Sequence, residues 1–244
     1  MKQTLLLAAA ALLLAGNLNA QWGKRIKGSG NVVTEERSVG PYDGVALSGW
    51  FDVELVSGPE GQLTLKGEDN LLEHLETEVK NGVLQIRPEK GYNLDPSSWK
   101  AGGIVVTVPV ESIDQVSMSG SGDIVGKTRI KSQAFQTSMS GSGDISLEVE
   151  VDEMKVALSG SGDIALSGTA RQVEIRVSGS GDVKAFELQA REVDAVVAGS
   201  ADIRVTATES LTARVSGSGD IHYRGNPARL DAKTSGSGDI IQNN

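Results

Sequence analysis

Ser119-Gly120-Ser121-Gly122-Asp123-Ile124 decides the reading of this chain, because close copies of it recur at a steady interval. They begin at Ser140, Ser159, Ser178, Ala198, Ser216 and Ser235. The aspartates of the series, Asp123, Asp144, Asp163, Asp182, Asp202, Asp220 and Asp239, lie 21, 19, 19, 20, 18 and 19 residues apart. A period near twenty residues is the mark of a solenoid, in which each repeat is one coil stacked on the last.

Nine, seven and five residues before each aspartate the chain is mostly apolar. Examples are Phe135, Thr137 and Met139, then Met154, Val156 and Leu158, then Val173, Ile175 and Val177. Polar residues such as Gln136 and Ser138, or Glu174 and Arg176, stand between them. This alternation describes a strand with one buried face. Ile or Val always follows the aspartate, so a second short strand begins there. The predicted coil is strand, glycine-rich corner, strand and variable corner, the last carrying turn pairs such as Ser167-Gly168 and Asn226-Pro227.

The internal copies also separate the roles of the corner residues. The first glycine, Gly120, Gly141, Gly160, Gly179, Gly199, Gly217 or Gly236, never varies, which predicts a positive φ where a Cβ is costly. The second is Ala201 in one copy, which predicts a negative φ and a milder effect for Gly162→Ala than for Gly160→Ala. Stacked coils place the aspartates in a column with a rise of about 4.8 Å. Neighbouring charges at that spacing repel by roughly 1 kcal/mol in water. The expected remedy is that each carboxylate accepts backbone N–H groups of its own turn. A column of calcium ions is the alternative. The motif is similar to the Gly-Gly-x-Gly-x-Asp calcium solenoid, but that repeat is nine residues long and separates its last glycine from its aspartate. No cofactor is therefore expected.

The series reaches backwards. Ser48-Gly49-Trp50-Phe51-Asp52-Val53 keeps the first glycine and the aspartate, and Gly28-Ser29-Gly30-Asn31-Val32 reads as an earlier copy still. Between them and Asp123 the register is interrupted. Strands are expected at 62–66, 76–80, 83–87 and 104–108, with one helical turn at 69–74 and a hairpin at Asn81-Gly82. Lys2, the apolar run 5–15 and Leu18-Asn19-Ala20 read as a secretory signal peptide. The expected organisation is a signal peptide at 1–20 and a lead-in at 21–34. A solenoid follows at 35–240, irregular over 35–112 and regular over 113–240, with a tail at 241–244. Export through the general secretory route to the periplasm or the cell surface follows, with no membrane span in the mature chain. The absence of cysteine excludes disulfides and thiolate metal sites, and a net charge of −9 argues against nucleic acid as a partner.

Candidate chemistry is sparse. His74 and His222 stand without a nucleophile motif, and the regular acids do not form the separated acid and base of a glycosidase. No catalytic residue is expected. Six of the nine aromatic residues fall in the first hundred positions. Trp50 and Phe51, placed at a corner, together with Tyr92 and Trp99 form a candidate ligand surface. The same residues would equally serve as a hydrophobic cap on the end of the solenoid.

The segment Val39-Gly40-Pro41-Tyr42-Asp43-Gly44-Val45, with the serial corner motif, resembles the auto-transporter adhesin head domain, or head GIN domain, over residues 35–240. The resemblance implies an all-β, two-sheet β-helix of pectin-lyase-like shape without catalytic residues, and a role in cell adhesion. The expected function is thus a non-enzymatic, exported β-solenoid binding a protein or glycan surface, with homo-oligomers left open. The alternative is a periplasmic carbohydrate-binding or carbohydrate-cleaving protein that uses the aromatic N-terminal region.

Overall fold

The computed structural model describes residues 23–98 and 103–243, so the leader at 1–20 and Trp99 lie outside the described residues. The chain forms a β-solenoid. Its regular part consists of five long strands, β11 (Ile124–Gly141), β12 (Ile145–Gly160), β13 (Ile164–Gly179), β14 (Val183–Gly199) and β15 (Ile203–Gly217). Each pairs in parallel with the next. The last coil is β16 (Ile221–Arg224), β17 (Arg229–Gly236) and β18 (Ile240–Gln242).

One coil shows why the sequence winds this way. In β12 the side chains of Ile145, Leu147, Val149, Val151, Met154, Val156 and Leu158 are all buried. Burial of each such side chain is worth about 1.5–3 kcal/mol before the entropy of ordering the chain. The alternation skips a beat at Asp152 and Glu153, both exposed, where the strand bends. The expected variable corner is therefore a bend inside a continuous ladder. From Ile124 onward this corner opens into a loop between two strands near Asn226-Pro227. The unequal repeat lengths are absorbed by register shifts between Val125 and Arg129, Ala165 and Ser167, and Ala185 and Gln189, with a further one between Ala190 and Glu192.

The irregular third builds two further coils and a closure. Strands β3 (Gly44–Gly49) and β4 (Asp52–Ser57) stack in register on β10 (Gln115–Gly120) and on the start of β11, so the copy at Ser48 is a true coil. Beyond it, β7 (Val83–Pro88) runs parallel to β3 and β9 (Val105–Val110) parallel to β4, forming a coil split between two distant segments. Antiparallel strands then close this end: β6 (Leu75–Lys80) on β7, and β5 (Gln62–Glu68) on β9, with β2 (Val32–Ser38) outside β5. Asn81 and Gly82 have φ of 53° and 79°, as a tight two-residue hairpin requires. The expected helical turn is α1 (Asp69–Leu72).

The segment at Gly28 is not an earlier coil. Its positive φ falls on Gly30 rather than Gly28, and β1 (Lys24–Lys27) pairs instead with β8 (Tyr92–Asp95). The fully buried Glu68 carboxylate ties this lead-in down by accepting the N–H groups of Gly30 and, at 2.7 Å, Ser97.

Candidate functional site: corner ladder, aromatic end and outer groove

The corner geometry begins with the first glycine, whose φ lies between 139° and 158° in every copy from Gly120 to Gly236. A side chain is strained there. The second glycine has no positive φ, yet it is no freer. A Cβ at Gly162 would lie 1.8 Å from the carbonyl oxygen of Gly143 in the preceding coil. The expectation that Gly162→Ala is mild is thus corrected, because φ is not the constraint at this position; the coil beneath is.

The aspartates also behave differently from the expectation. None of the hydrogen bonds along the column closes a carboxylate on its own turn. Oδ1 of Asp144 accepts the backbone N–H of Asp163, one coil later, at 2.9 Å. The same bond runs from Asp123 to Asp52, Asp144 to Asp123, Asp182 to Asp163, Asp202 to Asp182, Asp220 to Asp202 and Asp239 to Asp220, at 2.8–3.1 Å. Between these bonds, the Asp163 carbonyl accepts the Ile145 N–H at 2.9 Å. The motif is therefore a rung-to-rung tie that begins at Asp52.

Charge is offset only along part of the column. Lys184 reaches Asp163 at 2.5 Å, and Arg204 spans Asp182 at 3.0 Å and Asp202 at 3.2 Å. Burial tends to raise the Asp163 pKa, but Lys184 and the Asp182 N–H outweigh it and hold the carboxyl below its usual range. At Asp52 burial prevails. Assisted by the charges of Asp123 and Glu54, it lifts the pKa above the ordinary value despite the Asp123 N–H. Among the described residues no group of three or more histidine, aspartate or glutamate side chains is placed to hold a metal ion.

The three described residues of the candidate ligand surface, Trp50, Phe51 and Tyr92, do not share one exposed aromatic platform. Phe51 is fully buried and is withdrawn from it. Its ring turns under the corner, so that a Cβ at Gly49 would lie 2.7 Å from it. Trp50 is half-buried against Phe51, with ring centroids 4.9 Å apart, and its Nε1 donates to the Leu94 carbonyl at 3.1 Å. Tyr92 stacks on His74 at 4.1 Å, with Lys24 Nζ 6.0 Å from its centroid. His74 in turn meets Glu89 at 2.7 Å. Trp50 and Phe51 thus fill the end of the corner column. Their apolar character was legible in sequence, but their direction was not.

A feature that sequence reasoning passed over lies on the outside. Ser140, Ser159, Ser178 and Ala198 precede the first glycines in consecutive coils and are all exposed. With Ala157, Arg176 and other neighbours they line a shallow, mainly apolar groove of about 480 Å³ along the stacking direction. The repeated small residue before each corner was the signal that could have found it.

Solved structures share this architecture. The chain superposes with a TM-score of 0.83 on a "putative adhesin" from Bacteroides fragilis NCTC 9343, at 24% identity, over 89% of this chain and 100% of that one. A "putative lipid binding protein" from Parabacteroides distasonis ATCC 8503 gives 0.75 at 29% identity, over 91% and 100%. A "putative adhesin" from Parabacteroides merdae ATCC 43184 gives 0.73 at 20%, over 91% and 100%. No curated protein matches the chain. Residues 41–227 match the family described as "Putative auto-transporter adhesin, head GIN domain", and the chain belongs to that family.

Proposed function

We propose that this chain is a non-enzymatic β-solenoid, exported on its 1–20 leader, whose outer faces bind a protein or glycan surface outside the cytoplasm. The unit that carries this role is the solenoid over 35–240, irregular to 112 and regular from 113. The observation that supports the reading is the groove over Ser140, Ser159, Ser178 and Ala198, a periodic, shallow surface suited to an extended partner rather than to a small substrate. Family membership agrees with it. No helix among the described residues is long and apolar enough to cross a membrane.

The carbohydrate reading based on N-terminal aromatics is weaker, since Phe51 is buried and Trp50 is engaged with Leu94. Fractionation of cells carrying a tagged chain, with protease treatment of intact cells, tests the proposal. Protease-accessible chain at the surface is expected, with adhesion reduced by Ser159→Arg at unchanged melting temperature. A chain retained in the cytoplasm, or adhesion indifferent to the groove, would overturn it.

A further inference from the structure

The two ends of the solenoid differ: antiparallel strands cover the N-terminal end, whereas among the described residues no strand covers β17. Every residue of β17 is exposed. Leu230 is 50% exposed, whereas Leu211, its register partner one coil earlier, is 1% exposed. The stripe Leu230, Ala232 and Thr234 is the inward face of a coil that no described strand covers. No proline interrupts β17 and its charges, Arg229, Asp231 and Lys233, alternate with the inward stripe rather than lying in it.

We propose that this end pairs with the same end of a second copy of the chain, β17 against β17 antiparallel, with a two-fold axis at Ala232. The backbone sets the first condition. Ser237 donates its N–H to the Gly217 carbonyl, so the ladder between β15 and β17 uses the backbone groups of the odd-numbered residues of β17. Leu230, Ala232 and Thr234 therefore present their N–H and C=O groups at the free edge. An antiparallel partner centred on Ala232 makes Ala232 opposite Ala232, and Leu230 opposite Thr234, the hydrogen-bonded pairs.

The charges set the second condition. Asp231 and Lys233 flank Ala232 on the outward face. The axis at Ala232 places Asp231 of each copy opposite Lys233 of the other, twice over. An axis at Asp231 or at Lys233 would set like charges directly opposite, which is destabilising. Axes at Asp231 or Lys233 would use the same free backbone groups and fail on charge alone, and an axis at Leu230 or Thr234 would shorten the paired stretch of β17. Arg214 pairs with Asp231 within the chain and donates to the Asp231 carbonyl, which faces β15 rather than the free edge. Because the interface is self-complementary it closes at two copies. Head-to-tail growth is disfavoured, since the other end is closed by the antiparallel strands β2 and β6.

Sedimentation velocity on the purified chain over about 1–100 μM tests this. The expected result is a monomer–dimer equilibrium that does not extend to larger species. Ala232→Pro removes the central N–H, which points away from β15, and is expected to abolish the dimer while leaving the melting temperature of the monomer unchanged. Lys233→Asp is expected to weaken it on the order of tenfold, and Asp231→Lys with Lys233→Asp to restore it. A chain that stays monomeric throughout, a dimer indifferent to both Ala232→Pro and Lys233→Asp, or open-ended polymers would each overturn the proposal.

Discussion

At the N-terminal end of the corner column the chain reads Gly49-Trp50-Phe51-Asp52, and at the C-terminal end Gly236-Ser237-Gly238-Asp239. Both corners share the positive φ of the first glycine and a place in the aspartate ladder. They differ at the residue before the aspartate. A Cβ at Gly238 would lie 2.0 Å from the Gly219 carbonyl, whereas Phe51 has no such corner beneath it and uses the space for its ring. The second glycine of the motif is thus a consequence of stacking rather than of turning. Where stacking stops, the position is released to an aromatic residue that seals the end.

The largest way to break this contrast is Phe51→Ala, which opens the sealed end. A loss of about 3–4 kcal/mol in chemical denaturation is expected, and an unchanged midpoint would refute the sealing role. Gly162→Ala is expected to cost about 3 kcal/mol, close to Gly160→Ala, because a Cβ has backbone rather than a flexible side chain to displace. Ala201, itself buried, marks the one coil that accommodates the extra carbon. A Gly162→Ala variant as stable as the parent would return the constraint to φ alone.

A smaller effect comes from Tyr42, whose hydroxyl donates to the Pro109 carbonyl at 2.5 Å. Burial pushes its pKa from 10.0 up to about 12. The folded value is the higher one, so this stabilisation is complete below pH 10 and drains away as pH rises toward 12. The loss is about 2 kcal/mol. Tyr42→Phe removes that pH dependence, and melting curves from pH 9 to 12 check it. The smallest effect sharpens the comparison along the ladder. Asp163→Asn loses Lys184 and is expected to cost about 0.5 kcal/mol at neutral pH. Its pKa is depressed, so the contribution is present above about pH 4 and lost as pH falls through the folded value. Asp52→Asn keeps the acceptor for the Asp123 N–H, sheds a charge that the fold disfavours, and is expected to cost nothing.

The coils were legible because each position recurs, so Phe135, Met154 and Val173 report one environment three times. The split coil of β7 and β9 was not, since neither strand carries the corner motif and only tertiary stacking joins them. Val149 and Val151 escaped notice because the register shifts near them in other coils and their counterparts are Gly168 and Ala170. Phe51 was misplaced for a related reason. The copies that set the expectation for its position have a coil beneath them, and Phe51 does not. The partner of each aspartate could not be read at all, because spacing gives the column but not whether a carboxylate closes its own turn or the next.

Amide hydrogen exchange of an Asp144→Ala variant addresses that last distinction most directly. With a rung-to-rung ladder, the Asp163 N–H loses its acceptor and exchanges faster, while the Asp144 N–H, held by Asp123 Oδ1 at 3.0 Å, stays protected. Faster exchange confined to the corner of residue 144, with Asp163 unchanged, would contradict the ladder and restore own-turn capping.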